Sequence, residues 1–266
     1  MLSKARFHSL LKFSRKKERT AAGMFFVEGW RWLEEALDLA QPPECVLAVA
    51  EAPRSAAEAG LLARARATAK EFHEIPPEKM ARLTDNVRPP GVAALVRWQP
   101  GRVDDLDATL PRNGPALVIA LDGVSDPGNA GTIVRTADWF GAAGIVFGSG
   151  SVEPINPKTV RATMGSLFRL PIAIAEGLSP TLKRLRLAGF SAVGATLDGE
   201  DLRAFPWPER CVLVIGNEAN GIRSSLAASL DRRVRIPSYG RAESLNAAVA
   251  AALLTADWRQ RHPPPG

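Results

Sequence analysis

The chain has 266 residues, 46% apolar and 23% charged, ordinary globular values with length enough for one large domain or two modest ones. With 34 Lys and Arg against 28 Asp and Glu the formal net charge is +6, which suits a polyanionic partner without requiring one. Cys45 and Cys211 lie far apart and His8, His73 and His262 are scattered, which argues against a disulfide framework and a metal site, while the absence of a signal core or membrane-length apolar run points to a cytoplasmic protein.

Residues 1–20 hold Lys4, Arg6, Lys12, Arg15, Lys16, Lys17 and Arg19 against Glu18, interleaved with Phe7, Leu10, Leu11 and Phe13. A helix there could seat the apolar residues and fan the charges toward phosphates, or simply present a solvated face. Residues 25–27 read as a strand ended by Glu28 and Gly29, and residues 30–39 as an amphipathic helix with Trp30, Leu33, Ala36 and Leu37 on one side. A strand at 46–50 and an alanine-rich helix at 56–72 follow. Asn86, Arg88, Pro89, Pro90 and Gly91 form a loop leading into a strand at 92–96. Residues 99–115, rich in Pro, Gly and Asp, read as a domain boundary.

Residues 117–121 are an apolar run ending at Asp122, a buried strand emptying into a loop. Asp126, Pro127, Gly128 and Asn129 are turn residues, a helix is expected over 132–140 with Gly141 as its stop, and 144–147 is the next strand. Asn129 falls near the helix start. Arg135, about a turn further in, could grip a phosphate; taken alone, the pair reads more readily as a cap and a solvated side chain. Residues 156–171 place Lys158, Arg161 and Arg169 around a small-residue patch. Ser179 is placed to cap a helix opened by Pro180 and running to Ala188, and 191–196 is a strand. A strand at 212–215 ends in the loop from Gly216 to Gly221, and one at 234–237 leads to Ser244, Leu245 and Asn246, which open a helix through Trp258. Residues 247–254 are apolar all round and mostly alanine, so that stretch should be buried and closely approached.

Three strands ending in glycine-bearing polar loops describe an α/β sheet with a ligand crevice at its carboxyl edge. A dinucleotide fingerprint fails, because Gly148 and Gly150 are followed by Glu153 where the third glycine belongs. Neither a Walker A sequence nor a Ser-His-Asp set with a suitable histidine is present.

The segments DPGNAGTIVRTADWFG, IGNEANGI and IPSYGRAESLNAAVAAALL closely resemble the three signature motifs of the SpoU/TrmH RNA ribose 2′-O-methyltransferases, of the SPOUT class. NPKTVRATMGSLFRLP is similar to that family's intermotif segment, and FFVEGWRWLEEAL with LTDNVRPPGVAALV looks like its N-terminal RNA-binding domain. The resemblance implies an α/β protein with two parts: a small ribosomal-protein-like RNA-binding domain at 1–105 and, at 106–266, a parallel SPOUT sheet closed by a trefoil knot. It implies an S-adenosylmethionine pocket at Thr196, Gly216, Ile236 and Leu245, met largely through backbone atoms, and a homodimer paired through the C-terminal domain. Chemistry alone would nominate Glu218 as the base, since arginine stays protonated. The resemblance instead points to Arg135, as base or phosphate anchor, with Asn129, Glu218, Ser244 and Asn246 positioning it and the ribose. Its implied substrate is RNA, ribosomal ahead of transfer RNA. The competing reading is a non-catalytic RNA-binding protein of the same fold.

Overall fold

The computed structural model describes residues 2–84 and 90–264; Asn86, Arg88 and Pro89 of the expected loop lie outside the described residues. Two compact units result, one of Met1–Gln99 with Ile155–Arg161 and one of Pro100–Pro154 with Ala162–Gly266. No described helix is long and apolar enough to cross a membrane.

The first unit runs α1 (Lys4–Leu11), a 3-10 turn (Lys12–Ser14), α2 (Lys16–Ala22), β1 (Met24–Glu28), α3 (Trp30–Leu37), β2 (Cys45–Ala48), α4 (Ala56–Thr68), β3 (Phe72–Glu74), α5 (Pro77–Leu83) and β4 (Val92–Arg97). Its sheet has the order β1-β4-β2-β3, antiparallel except for β2 with β3. The basic N-terminus is helical and Phe7 and Leu10 are buried, as their interleaving predicts. Two of its cations are nonetheless committed inside the unit. Arg6 forks onto Glu71 at 2.7 and 3.0 Å, and the buried Arg19 donates to the carbonyls of Phe13 and Ser14 at 3.3 and 2.6 Å. The helix expected over 56–72 stops at Thr68, and Phe72 opens a three-residue edge strand. Alanine spacing continues past the true end with no breaker, and so short a strand carries no periodicity of its own. The β2–β3 pairing also brings ligating atoms of Cys45, Glu71 and His73 within 4.8 Å of one another, which sequence separation hid. Arg6 already occupies the Glu71 carboxylate there, and burial pushes the Cys45 thiol up to about 12.

The second unit runs β5 (Gly101–Arg102), α6 (Val103–Thr109), β6 (Ala116–Asp122), α7 (Pro127–Trp139), β7 (Gly144–Phe147), the last two residues of α8 (Pro157–Thr163, whose residues 157–161 belong to the first unit), α9 (Ser166–Arg169), β8 (Ile172–Ile174), α10 (Leu178–Leu187), β9 (Ser191–Asp201), a 3-10 turn (Leu202–Ala204), β10 (Arg210–Gly216), α11 (Ser224–Ala227), β11 (Arg232–Arg235) and α12 (Ala247–Arg261). Its seven described strands are all parallel, in the order β11-β9-β10-β6-β7-β8-β5. The apolar runs 116–121 of β6 and 211–215 of β10 take the centre, where both faces are covered. Val118, Ala120, Val212 and Val214 pack against Leu182 and Leu185 of α10, so by strand alternation Leu117 and Ile119 serve the other face.

Four expectations change here. First, α7 starts five residues early: Asp126 caps it by accepting from the Asn129 N–H at 2.7 Å, and Pro127 is its first residue. Asp-Pro is as good a helix opening as a turn, because a proline at the first position gives up an N–H that has no partner anyway. Second, α10 begins at Leu178 with Gly177 at its cap, and Ser179 pairs instead with Ser229. Third, β9 continues to Asp201, its register with β11 slipping between Arg233 and Val234. Finally, α12 is buried on one side only. Ala247, Ala248, Ala251, Leu254 and Trp258 are inside, whereas Val249 and Leu253 are 47 and 45% exposed.

Candidate active site

Strands β6 and β10 pair in register from Arg210 with Ala116 to Gly216 with Asp122, so their following loops leave the sheet side by side. Side chains then fasten those loops together. Asp122, fully buried at the end of β6, receives the Arg223 backbone N–H at 2.8 Å and its Nε at 2.7 Å. Asn217 Nδ2 donates to the Gly123 carbonyl at 2.8 Å. Asn217 and Gly221 exchange backbone hydrogen bonds of 2.9 Å, which folds the loop back over the strand end. A Cβ on Gly216 would lie 2.2 to 2.6 Å from the backbone of Gly221 and Ile222, so this position has room for glycine alone.

Glu218 rides on that loop and reaches across to the start of α7. Its carboxylate accepts from the Ser125 N–H and Oγ at 3.2 Å each, the Asp126 N–H at 3.2 Å and Asn129 Nδ2 at 3.0 Å. Partial burial pushes this carboxyl up, but the bonds from the Asn129 side chain and from backbone N–H groups outweigh it, and it sits below the ordinary glutamate range. Asn217 Nδ2 adds a longer bond of 3.4 Å, and with five donors on its two oxygens Glu218 is built to be ionised and held. The third loop joins through Asn246. Its Oδ1 caps α12 by accepting from Ala248 and Val249 N–H at 2.8 and 3.2 Å, and its Nδ2 donates to Asn129 Oδ1 at 2.8 Å. A continuous chain, Glu218 to Asn129 to Asn246, thus links positions 89 and 117 residues apart in sequence.

The other sequence-derived residues are placed less directly. Arg135 is exposed on α7 and makes no hydrogen bond or ion pair with any described residue, and the same holds for Ser244 in the loop before α12. Neither is bonded to the Glu218 chain. Thr196 is half-buried in β9 where its pairing with β11 is interrupted, Ile236 is half-buried just past β11, Gly216 ends β10, and Leu245 is 47% exposed. These residues fit a group read mainly through main chain and apolar surface: the glycine cannot carry a side chain, and the leucine has uncovered apolar area. Sequence reasoning missed Asp122, Ser125, Asn217 and Arg223 as fastenings. The readable signal was a lone aspartate closing an otherwise apolar strand, since aspartate is almost never fully buried without a partner.

Comparison with known proteins identifies the family. The SpoU rRNA Methylase family matches residues 116–256, and the MRM3-like substrate binding domain matches residues 4–94. A 23S rRNA (guanosine(2553)-2′-O)-methyltransferase of Bacillus subtilis is 32% identical over 91% of this chain and 91% of its own. A 23S rRNA (uridine(2479)-2′-O)-methyltransferase of Streptomyces viridochromogenes is 33% identical over 92% of this chain and 86% of its own. Among solved structures, the SpoU methyltransferase AviRb of that organism, in complex with AdoMet, superposes with a TM-score of 0.85 at 30% identity, covering 97% of this chain and 98% of that one. With its three motif loops fastened at one sheet edge and these matches along its whole length, the chain belongs to the SpoU RNA methyltransferase family.

Proposed function

We propose that this protein transfers a methyl group from S-adenosylmethionine to a ribose 2′-hydroxyl of ribosomal RNA, acting as a cytoplasmic homodimer. The observation that carries the reading is the hydrogen-bonded chain from Glu218 through Asn129 to Asn246, which holds three strand-end loops in one geometry. When bound, the cofactor supplies a methyl group on an electrophilic sulfonium. The protein's part is to place a weak nucleophile in line with it and to manage the hydroxyl proton. The locked Glu218, Asn129 and Asn246 fix the start of α7. Arg135 lies six residues further, a rise of about 9 Å along the helix, as a guanidinium with no internal commitment. It acts on the RNA, anchoring a phosphate beside the target or taking up the hydroxyl proton, with Ser244 beside the ribose. Thr196, Gly216, Ile236 and Leu245 hold the cofactor through main chain and apolar contact, within the knot expected of a SPOUT sheet.

The N-terminal residues 1–105 grip the RNA, using the exposed Lys4, Lys12, Arg15, Lys16 and Lys17. Ribosomal RNA is favoured over transfer RNA because two relatives aligned across both units carry 23S rRNA in their names. The second copy covers Val249 and Leu253, exposed one turn apart on α12, and Trp139, 83% exposed on the neighbouring α7.

The test is incubation of purified protein with radiolabelled S-adenosylmethionine and unmodified 23S rRNA or transfer RNA, followed by nucleoside analysis. A labelled 2′-O-methylnucleoside from the 23S RNA supports the reading. Label in transfer RNA alone would reassign the substrate, and cofactor binding without transfer to any RNA would favour a non-catalytic binder.

A further inference from the structure

Tyr239 is the chain's single tyrosine, and it is 82% exposed. It stands in the loop between β11 and α12, seven residues before Asn246. An exposed ring is normally free to change rotamer, but this one is tethered. Arg203 Nη1 donates to Tyr239 Oη at 3.1 Å, and Arg203 is itself forked onto Asp201 by Nε at 2.9 Å and Nη2 at 2.7 Å. Arg235 Nη2 stands 3.8 Å from the same carboxylate. Arg261 Nη2 donates to the Leu202 carbonyl at 3.2 Å while its Nε pairs with Asp257 at 3.0 Å. Arg203 and Arg235 against Asp201 leave one positive charge in excess around the tether. The hydrogen bond from Arg203 draws the Asp201 carboxyl down to about 2, so the tether keeps its charge at any pH where RNA is intact.

An aromatic ring kept in solvent, held in one orientation and flanked by cations is chemically suited to stack on a nucleobase, whose face attracts a ring while the arginines attract the phosphates around it. A base inside a duplex has no free face, so the ligand must be unpaired. We propose that Tyr239, oriented by Arg203, is a stacking platform for an unpaired base of the RNA substrate. This rests on the methyltransferase reading and adds to it a residue that selects single-stranded over paired RNA.

The test compares wild type, Tyr239→Ala and Tyr239→Phe for binding to an unmodified 23S rRNA transcript and to a fully paired RNA duplex, with S-adenosylmethionine affinity by calorimetry and subunit association by sedimentation. The alanine variant is expected to bind the transcript roughly five- to hundredfold more weakly, with duplex binding, cofactor affinity and association unchanged. The phenylalanine variant keeps the ring, loses only the tether, and falls between. Wild-type binding of the transcript by the alanine variant overturns the proposal, as does an equal loss on duplex. A change in cofactor affinity or association also overturns it, by placing the ring over the cofactor or the second copy. If the wild type binds neither cofactor nor transcript, the methyltransferase reading fails first and takes this one with it.

Discussion

Arg223 closes on Asp122 through its backbone N–H, its Nε and its Nη2, while its Nη1 donates to Ser149 Oγ at 3.2 Å. One side chain therefore ties the loop after β10 to the end of β6 and to the loop after β7. Asp122 is fully buried and the Arg223 side chain only about half so, which makes the two ends unequal. Removing the arginine strands a carboxylate in the core; removing the carboxylate frees an arginine that can still reach water. Arg223→Ala should lower stability by about 3 kcal/mol, read from urea denaturation. The double variant with Asp122→Ala should lose clearly less than the sum of the two single changes. Additive losses would mean the two residues act independently.

Asn246 does two jobs that one substitution can separate. Asn246→Asp keeps an acceptor for the Ala248 and Val249 N–H groups but removes the donor to Asn129. Caps of Asp and Asn are about equal, so stability should stay within about 0.5 kcal/mol. Methyl transfer should fall about tenfold or more, the scale of one lost hydrogen bond at the site. Asn246→Ala should lose both, with about 1 kcal/mol off stability. Full activity in the aspartate variant would remove the Asn246 to Asn129 bond from any role in the chemistry.

The Glu218 carboxyl lies below the ordinary range in the folded protein, so its contribution to stability is complete above the unfolded value, about 4.3, and is lost as pH falls through the lower folded value. The stability gap between wild type and Glu218→Gln should be constant from neutral pH down to about 4.3 and shrink below it. A gap that instead grows as pH falls would reverse the sign and return Glu218 to the list of candidate bases.

Association should depend on the open face of α12. Leu253→Glu places a charge beside the exposed Val249, at a position 45% exposed in the single chain. Sedimentation should show loss of the dimer, with unfolding of the isolated chain changed by no more than about 0.5 kcal/mol. A dimer of unaltered affinity would move the interface elsewhere.

Neither cysteine should react in the folded protein. Both are completely buried, and burial holds each thiol well above its usual range. A thiol-specific reagent should label neither Cys45 nor Cys211 in buffer and both in denaturant; rapid labelling of Cys45 would expose an opening of the first sheet.

The second unit was readable from sequence to the extent that its elements are strongly patterned. The runs at β6, β7 and β10 are uninterrupted apolar stretches, and a parallel sheet covered on both faces requires that. Boundaries failed where one residue pair supports two local structures, as with Asp126 and Pro127, or where a short strand such as β3 gains its conformation from its partner. Of the site, Asn129, Glu218 and Asn246 stood out as polar groups at strand ends, and the structure bonds them together. Arg223 did not, because its pairing with Asp122 across 101 residues leaves no mark on local spacing. The half-exposed side of α12 escaped for a related reason: its outward residues are as apolar as its inward ones, so composition cannot separate a face covered by the chain from one left open.

The chain of hydrogen bonds from Glu218 to Asn129 to Asn246 has a consequence for how the protein matures. Its last member opens the final helix, so a polypeptide still being synthesised can complete the central sheet and yet have no finished site. The side chain that reaches Asn129 also caps the fifteen residues of α12, so the docking of that helix and the closing of this hydrogen-bonded chain are one event.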